Sequence, residues 1–155
     1  MIDSAHLKEP PALKGETLAR AIRGARPIRL RVLVVDDNRD AADTLGTLLR
    51  LLGAEVRVCY DGLTAVMGAG EFRPDAGVFG VNMPGGIDGC DLARGVRDLA
   101  RGRPLLLVAL TGLSGPDVVA RAKGVFDRHL TKPADPVVLL AALASFEARL
   151  KLAPG

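Results

Sequence analysis

The stretch Arg31-Val32-Leu33-Val34-Val35-Asp36-Asp37-Asn38 decides the fold. Four apolar residues, three of them β-branched, run straight into two adjacent carboxylates. An apolar run of this length reads as a strand buried on both faces, the habit of parallel sheets. In an open parallel sheet the carboxyl ends of the strands form the ligand-binding edge. Asp36 and Asp37 are therefore expected at the mouth of a site, on a strand that cannot easily move. Neighbouring carboxylates repel each other, so the pair calls for a nearby cation, either a divalent metal with oxygen ligands or a lysine.

Outward from this strand the chain alternates strand and helix. Ala41, Ala42, Leu45, Leu48, Leu49 and Leu52 recur at helical spacing, and Gly53 stops that helix. Glu55 to Cys59 reads as a second strand, and Asp61-Gly62 as a turn before a helix from Leu63 to Glu71. Pro74-Asp75 leads into a third strand through about Phe79, weakened by Gly77. A loop containing Pro84, Gly85, Gly86 and Gly89 precedes a helix from Cys90 to Ala100. Leu105 to Leu110 is the next buried strand. Ser114-Gly115-Pro116-Asp117 signals a helix over 116–123. Val125 to Leu130 reads as the fifth strand, and Pro136 opens a last helix to about Leu150. Five alternating pairs predict a doubly wound α/β domain with a five-stranded parallel sheet and right-handed crossovers.

Composition agrees with one domain. At 155 residues, 48% hydrophobic and only 3% aromatic, the core must be built from Leu, Val and Ala. No stretch approaches a membrane span, and the N-terminus lacks the pattern of a secretory signal. Cys59 and Cys90 stand in no metal or redox spacing and are expected as buried thiols in a reducing cytoplasm. The net charge of +3 is unevenly placed: residues 1–31 carry seven Lys/Arg against three acids, and the remaining 124 carry fourteen against fifteen. Residues 1–29 thus read as a basic extension before a domain over 30–152. Within it, Ala12 to Arg23 is a candidate short helix. The extension lacks aromatic interleaving, so a solvated tail is expected rather than a nucleic-acid arm. Met1 reads as a natural start, and a stand-alone receiver-like chain is one expectation, a piece of a longer protein the other.

Asp36-Asp37 after the first strand, Thr111 after the fourth and Lys132-Pro133 after the fifth fall on one edge of the sheet. Acids that hold Mg²⁺, with a hydroxyl and an ammonium for phosphate oxygens, form the donor set of a phosphoryl site. In this order and spacing the chain resembles the receiver domain of bacterial two-component response regulators. The resemblance runs from about Leu30 to Leu150. It rests on Val32 to Asn38, Asn82-Met83-Pro84, Ile87-Asp88-Gly89, Ala109-Leu110-Thr111 and Phe126 to Pro133. It implies a flavodoxin-like sheet and an aspartate at the end of the third strand that accepts phosphate from a histidine kinase. It assigns Asp36 and Asp37 to metal, with the Asn82 carbonyl our own expected third ligand, Thr111 to the switch hydroxyl, Lys132 to the lysine and His129 to the aromatic switch position. A packed, neutral His129 is expected there.

The acceptor position holds Gly80, which has no side chain to phosphorylate, and its neighbours Phe79 and Val81 are apolar. With the third carboxylate gone, Asp36 and Asp37 are expected to share Lys132 between them, in a site that is stable without metal and binds Mg²⁺ only weakly. The leading expectation is a degenerate receiver that works by protein–protein interaction with a kinase or another two-component protein and with an output partner. Homodimerisation through the fourth and fifth helices is one form this could take. The alternative is a phosphoreceiver with a substitute acceptor, for which Asp88 is the nearest loop acid. An α/β phosphotransfer enzyme is the third reading and fits poorly. Such enzymes usually space their acids as Asp-x-Asp, and no nucleotide-binding glycine motif follows the first strand.

Overall fold

β1 (Arg31–Val35) is buried from Val32 to Val35, and its two side-chain faces feed two different cores. Leu33 and Val35 point to one, Val32 and Val34 to the other. Full burial of an aliphatic side chain is worth about 2 kcal/mol, so this strand is strongly anchored. The computed structural model describes residues 23, 24, 26–112 and 116–152. The candidate helix over 12–23 therefore lies almost entirely outside the described residues, as do Ser114 and Gly115 of the helix signal.

The elements after β1 are α1 (Arg39–Leu51), β2 (Glu55–Cys59), α2 (Gly62–Phe72), β3 (Ala76–Gly80) and α3 (Gly89–Ala100). β4 (Leu106–Thr111), α4 (Pro116–Lys123), β5 (Arg128–Thr131) and α5 (Pro136–Leu152) complete the chain. All strand pairs are parallel, and the order is β2-β1-β3-β4-β5. The predicted doubly wound, flavodoxin-like sheet is observed. α1 and α5 cover one face, and α2, α3 and α4 the other. Strand order reverses between β1 and β3, so the crevice beyond their carboxyl ends is the position where such sheets place ligands.

Several expectations are corrected. Ala41 is exposed, and α1 buries Ala42, Gly46 and Leu49. Val125 and Phe126 are not strand: their N–H groups bond back to the Ala122 carbonyl at the end of α4. β5 begins only at Arg128, on the sheet edge, where its side chains are mostly exposed. Ile28, expected in the extension, is 1% exposed and packs with Leu30, α1 and α5. Gly77 lies within β3 because a Cβ there would strike the Phe79 ring at 2.5 Å.

Candidate functional site

The end of β1 delivers Asp36 into the crevice, 2% exposed. A buried carboxylate needs partners, and two groups meet this one. Lys132 Nζ lies 3.1 Å from each carboxylate oxygen, and the Asn38 N–H donates to Oδ1 at 3.1 Å. The Asn38 side chain in turn caps α1 by accepting the Ala41 N–H. Asn38 therefore both fixes the acid and starts the helix, a role the sequence reading missed, although an Asn just before a helical run is a standard N-cap signal. Lys132 comes from the turn after β5, joined to Pro133 by a cis peptide, and its N–H donates to the Thr111 carbonyl at 2.7 Å. Beside the ion pair a cavity of about 540 Å³ opens between α1 and the β5–α5 turn, with Leu45, Leu48 and Leu110 in its walls. It leaves Lys132 about a third exposed.

Asp37 does not share Lys132. It is exposed, and among the described residues the ammonium pairs with Asp36 alone. Asp37 lies past the end of β1, in the bend that leads to the Asn38 cap of α1.

Gly80 closes β3 beside this pair. A Cβ built on it would sit 3.3 Å from Asp36 Oδ1 and 3.5 Å from Lys132 Nζ. The side-chain direction at position 80 therefore points into the ion pair, where any acidic group would meet both charges. Gly89 explains the close approach of the next loop: its own Cβ would fall 2.2 Å from the Gly80 carbonyl oxygen. Only glycine lets the start of α3 pack there, and the Gly89 N–H bonds Val81 O at 3.0 Å.

Thr111 ends β4 on the same edge, one residue past the Leu110 that pairs with Gly80. It is half-buried, and its hydroxyl donates to the Leu130 carbonyl at 3.4 Å. His129 is exposed, not packed, because β5 is an edge strand. Its ring meets Phe126 edge to face at 6.4 Å, and Phe126 meets Phe79 in the same way at 6.2 Å. A row of rings thus links the residue before Gly80 to His129.

Asp88 has a structural task. It caps α3 by accepting the Asp91 N–H at 2.9 Å, and it pairs with Arg121 of α4 at 3.0 Å. Burial opposes its charge, but the Asp91 amide and the Arg121 guanidinium outweigh that and hold its pKa below the ordinary carboxylate value. Arg121 had no assigned role in the sequence reading. Nothing in its local pattern marks it, since its partner lies 33 residues away.

Of the oxygen donors expected for a divalent ion, Asp36 is buried against Lys132, while Asp37 and Asn82 are exposed. Magnesium keeps several waters and accepts few protein ligands. Among the described residues no three Asp, Glu, His or Cys side chains form a metal-holding group.

The family model of the response regulator receiver domain matches residues 32–144. The transcriptional regulatory protein PrrA of Mycobacterium leprae is 39% identical over 103 residues, 66% of this chain and 43% of that protein. The chain thus matches less than half the length of that relative. The signal receiver domain of a modulated diguanylate cyclase from Desulfovibrio desulfuricans superposes with a TM-score of 0.70 at 31% identity, covering 80% of this chain and 98% of that one. A CheY-like receiver domain protein from Methanospirillum hungatei shares the fold, with a TM-score of 0.72 at 20% identity. The chain belongs to the response regulator receiver domain family.

Proposed function

We propose that this chain is a receiver-like module of a two-component pathway that does not take phosphate at the family's acceptor position and acts through protein–protein contacts. The observation that carries the reading is Gly80. It stands at the end of β3 with its side-chain direction aimed at Asp36 and Lys132, and it offers no oxygen to phosphorylate. The ammonium that would meet a phosphoryl group is instead closed onto Asp36. In this reading a histidine kinase or another two-component protein, and an output protein, are the partners. Mg²⁺ is optional and weakly held by Asp36, Asp37 and Asn82, and no enzymatic step is required. Self-association through α4 and α5 belongs to the same proposal.

The test is to add Mg²⁺ with beryllofluoride or acetyl phosphate and follow the backbone amides of Thr111, His129 and Lys132. The expected result is no saturable shift in the native chain and a restored response in Gly80→Asp. A saturable shift in the native chain would overturn the reading and move attention to a substitute acceptor. Asp88 would then be the next residue to replace, and its commitment to capping α3 and pairing with Arg121 weighs against that role.

A further inference from the structure

At the opposite edge of the sheet, where β3 and β4 begin, a cavity of about 460 Å³ lies between the C-terminal ends of α2 and α3. Ala69, Val96 and Leu99 line it on the apolar side, and Arg73, Arg101 and Arg103 surround it. We propose that this cavity is a binding site for a nucleoside diphosphate, with phosphates on the guanidiniums and the base against Leu99.

Two features support it. First, the positive charge is largely uncompensated. Arg73 and Arg101 form no ion pair among the described residues. Arg103 reaches Asp75 only at 4.0 Å, and that carboxylate already accepts the Arg31 N–H at 2.8 Å. Guanidinium forks match phosphate oxygens in pairs and stack on planar rings. Second, Arg73 and Arg101 are both helix C-caps in the left-handed region, at φ 55° and 51°. Glycine is the residue that fits such a cap without strain. Basic side chains near helix C-termini do complement the macrodipole, but that effect does not require the left-handed position itself. Two strained arginines facing one cavity point to a use for their charge.

The remaining features match the ligand class. Leu99 is 48% exposed, an apolar surface that a base would cover. The volume suits a small organic ligand, and two phosphoryl groups supply negative charge comparable to three guanidiniums. Binding there is an input that does not pass through Gly80, at the other end of β3.

The test is titration of the full chain with ADP at physiological ionic strength, followed by amide shifts and calorimetry. Saturable shifts confined to residues 69–74 and 96–103 are expected. In Arg73→Gly/Arg101→Gly binding should weaken at least about tenfold, while the melting temperature holds or rises because glycine relieves both caps. Arg103→Gln, at an ordinary backbone position, should weaken binding as well. The proposal is overturned by no saturable shift, by unchanged affinity in both variants, or by pyrophosphate binding as tightly as ADP. Tighter binding of a single-stranded oligonucleotide would also overturn it, by assigning the patch to nucleic acid.

Discussion

At the scale of single residues, the site is governed by which charge is buried. Asp36 is 2% exposed and Lys132 about a third exposed, so removing one partner is not equivalent to removing the other. Lys132→Ala strands a buried carboxylate with only the Asn38 N–H, and should cost about 3 kcal/mol, the low end for a broken buried pair. Asp36→Asn leaves an ammonium that can turn to water, and should cost roughly 1 kcal/mol. Urea midpoints of the two variants check the order, and the reverse order would mean that Lys132 carries the burial cost. Gly80→Asp adds a second carboxylate facing the same lysine, and like charges about 4 Å apart repel by roughly 4 kcal/mol at an effective dielectric of 20, partly offset by Lys132. In chelator the variant should melt below the native chain. Millimolar Mg²⁺ should raise its melting temperature by several degrees while moving the native chain by less. Equal Mg²⁺ responses would contradict the view that Gly80 removes the need for metal.

At the scale of elements, legibility follows periodicity and burial. β2 matches its sequence reading residue for residue, and β1 contains the whole apolar run read as the first strand, because each is an uninterrupted strand pattern with a strong stop after it. β5 was misplaced because its apolar neighbours Val125 and Phe126 serve the core from a turn, whereas Arg128 and His129 form an exposed edge that carries no strand signature. The packed His129 expected from the family resemblance fails on the same exposed edge. The starts of α2 and α3 fall within one residue of their sequence reading, with Asp61 and Asp88 as caps, although only Asp61-Gly62 reads there as a start signal. Those caps predict an acid sensitivity. The Thr64 N–H bonded to Asp61, and the Asp91 amide and Arg121 acting against burial at Asp88, leave both carboxyls below their ordinary 3.8. A lowered folded pKa contributes stability that is complete above the unfolded value and lost as pH falls through the folded one. Both caps should therefore hold above about pH 4 and weaken below it. Asp88→Asn keeps the cap and loses the Arg121 pair, so it should cost under about 1 kcal/mol at pH 6 and flatten the acid limb. Asp88→Ala should cost about 1 kcal/mol or more. Denaturant midpoints at pH 6 and pH 3 separate the two.

At the scale of the whole molecule, the sheet edge that gathers Asp36, Gly80, Thr111 and Lys132 was legible because parallel topology sends every strand's carboxyl end to one side. What escaped the sequence reading were details of contacts between residues far apart in the chain, such as Arg121 with Asp88 and the pairing of Lys132 with Asp36 but not Asp37. The two cysteines show the same dependence on packing. Cys59 and Cys90 are buried in one core, and burial pushes both thiols above their ordinary pKa. Both should resist a thiol reagent in the native chain at pH 8 and react once denatured; prompt native reaction would show that this core opens. The domain boundary is the sharper case. Charge placed it after residue 29, yet the Ile28 N–H donates to the Leu52 carbonyl at 2.8 Å, and the Arg29 N–H to Glu147 Oε2 at 2.9 Å. An isolated isoleucine between Pro27 and Arg29 shows no periodicity, so only packing reveals that it is core. Ile28→Ala should then cost about 2–4 kcal/mol, a fall in melting temperature on the order of 10 °C. A change below about 1 kcal/mol, the scale of a surface substitution, would return Ile28 to the extension.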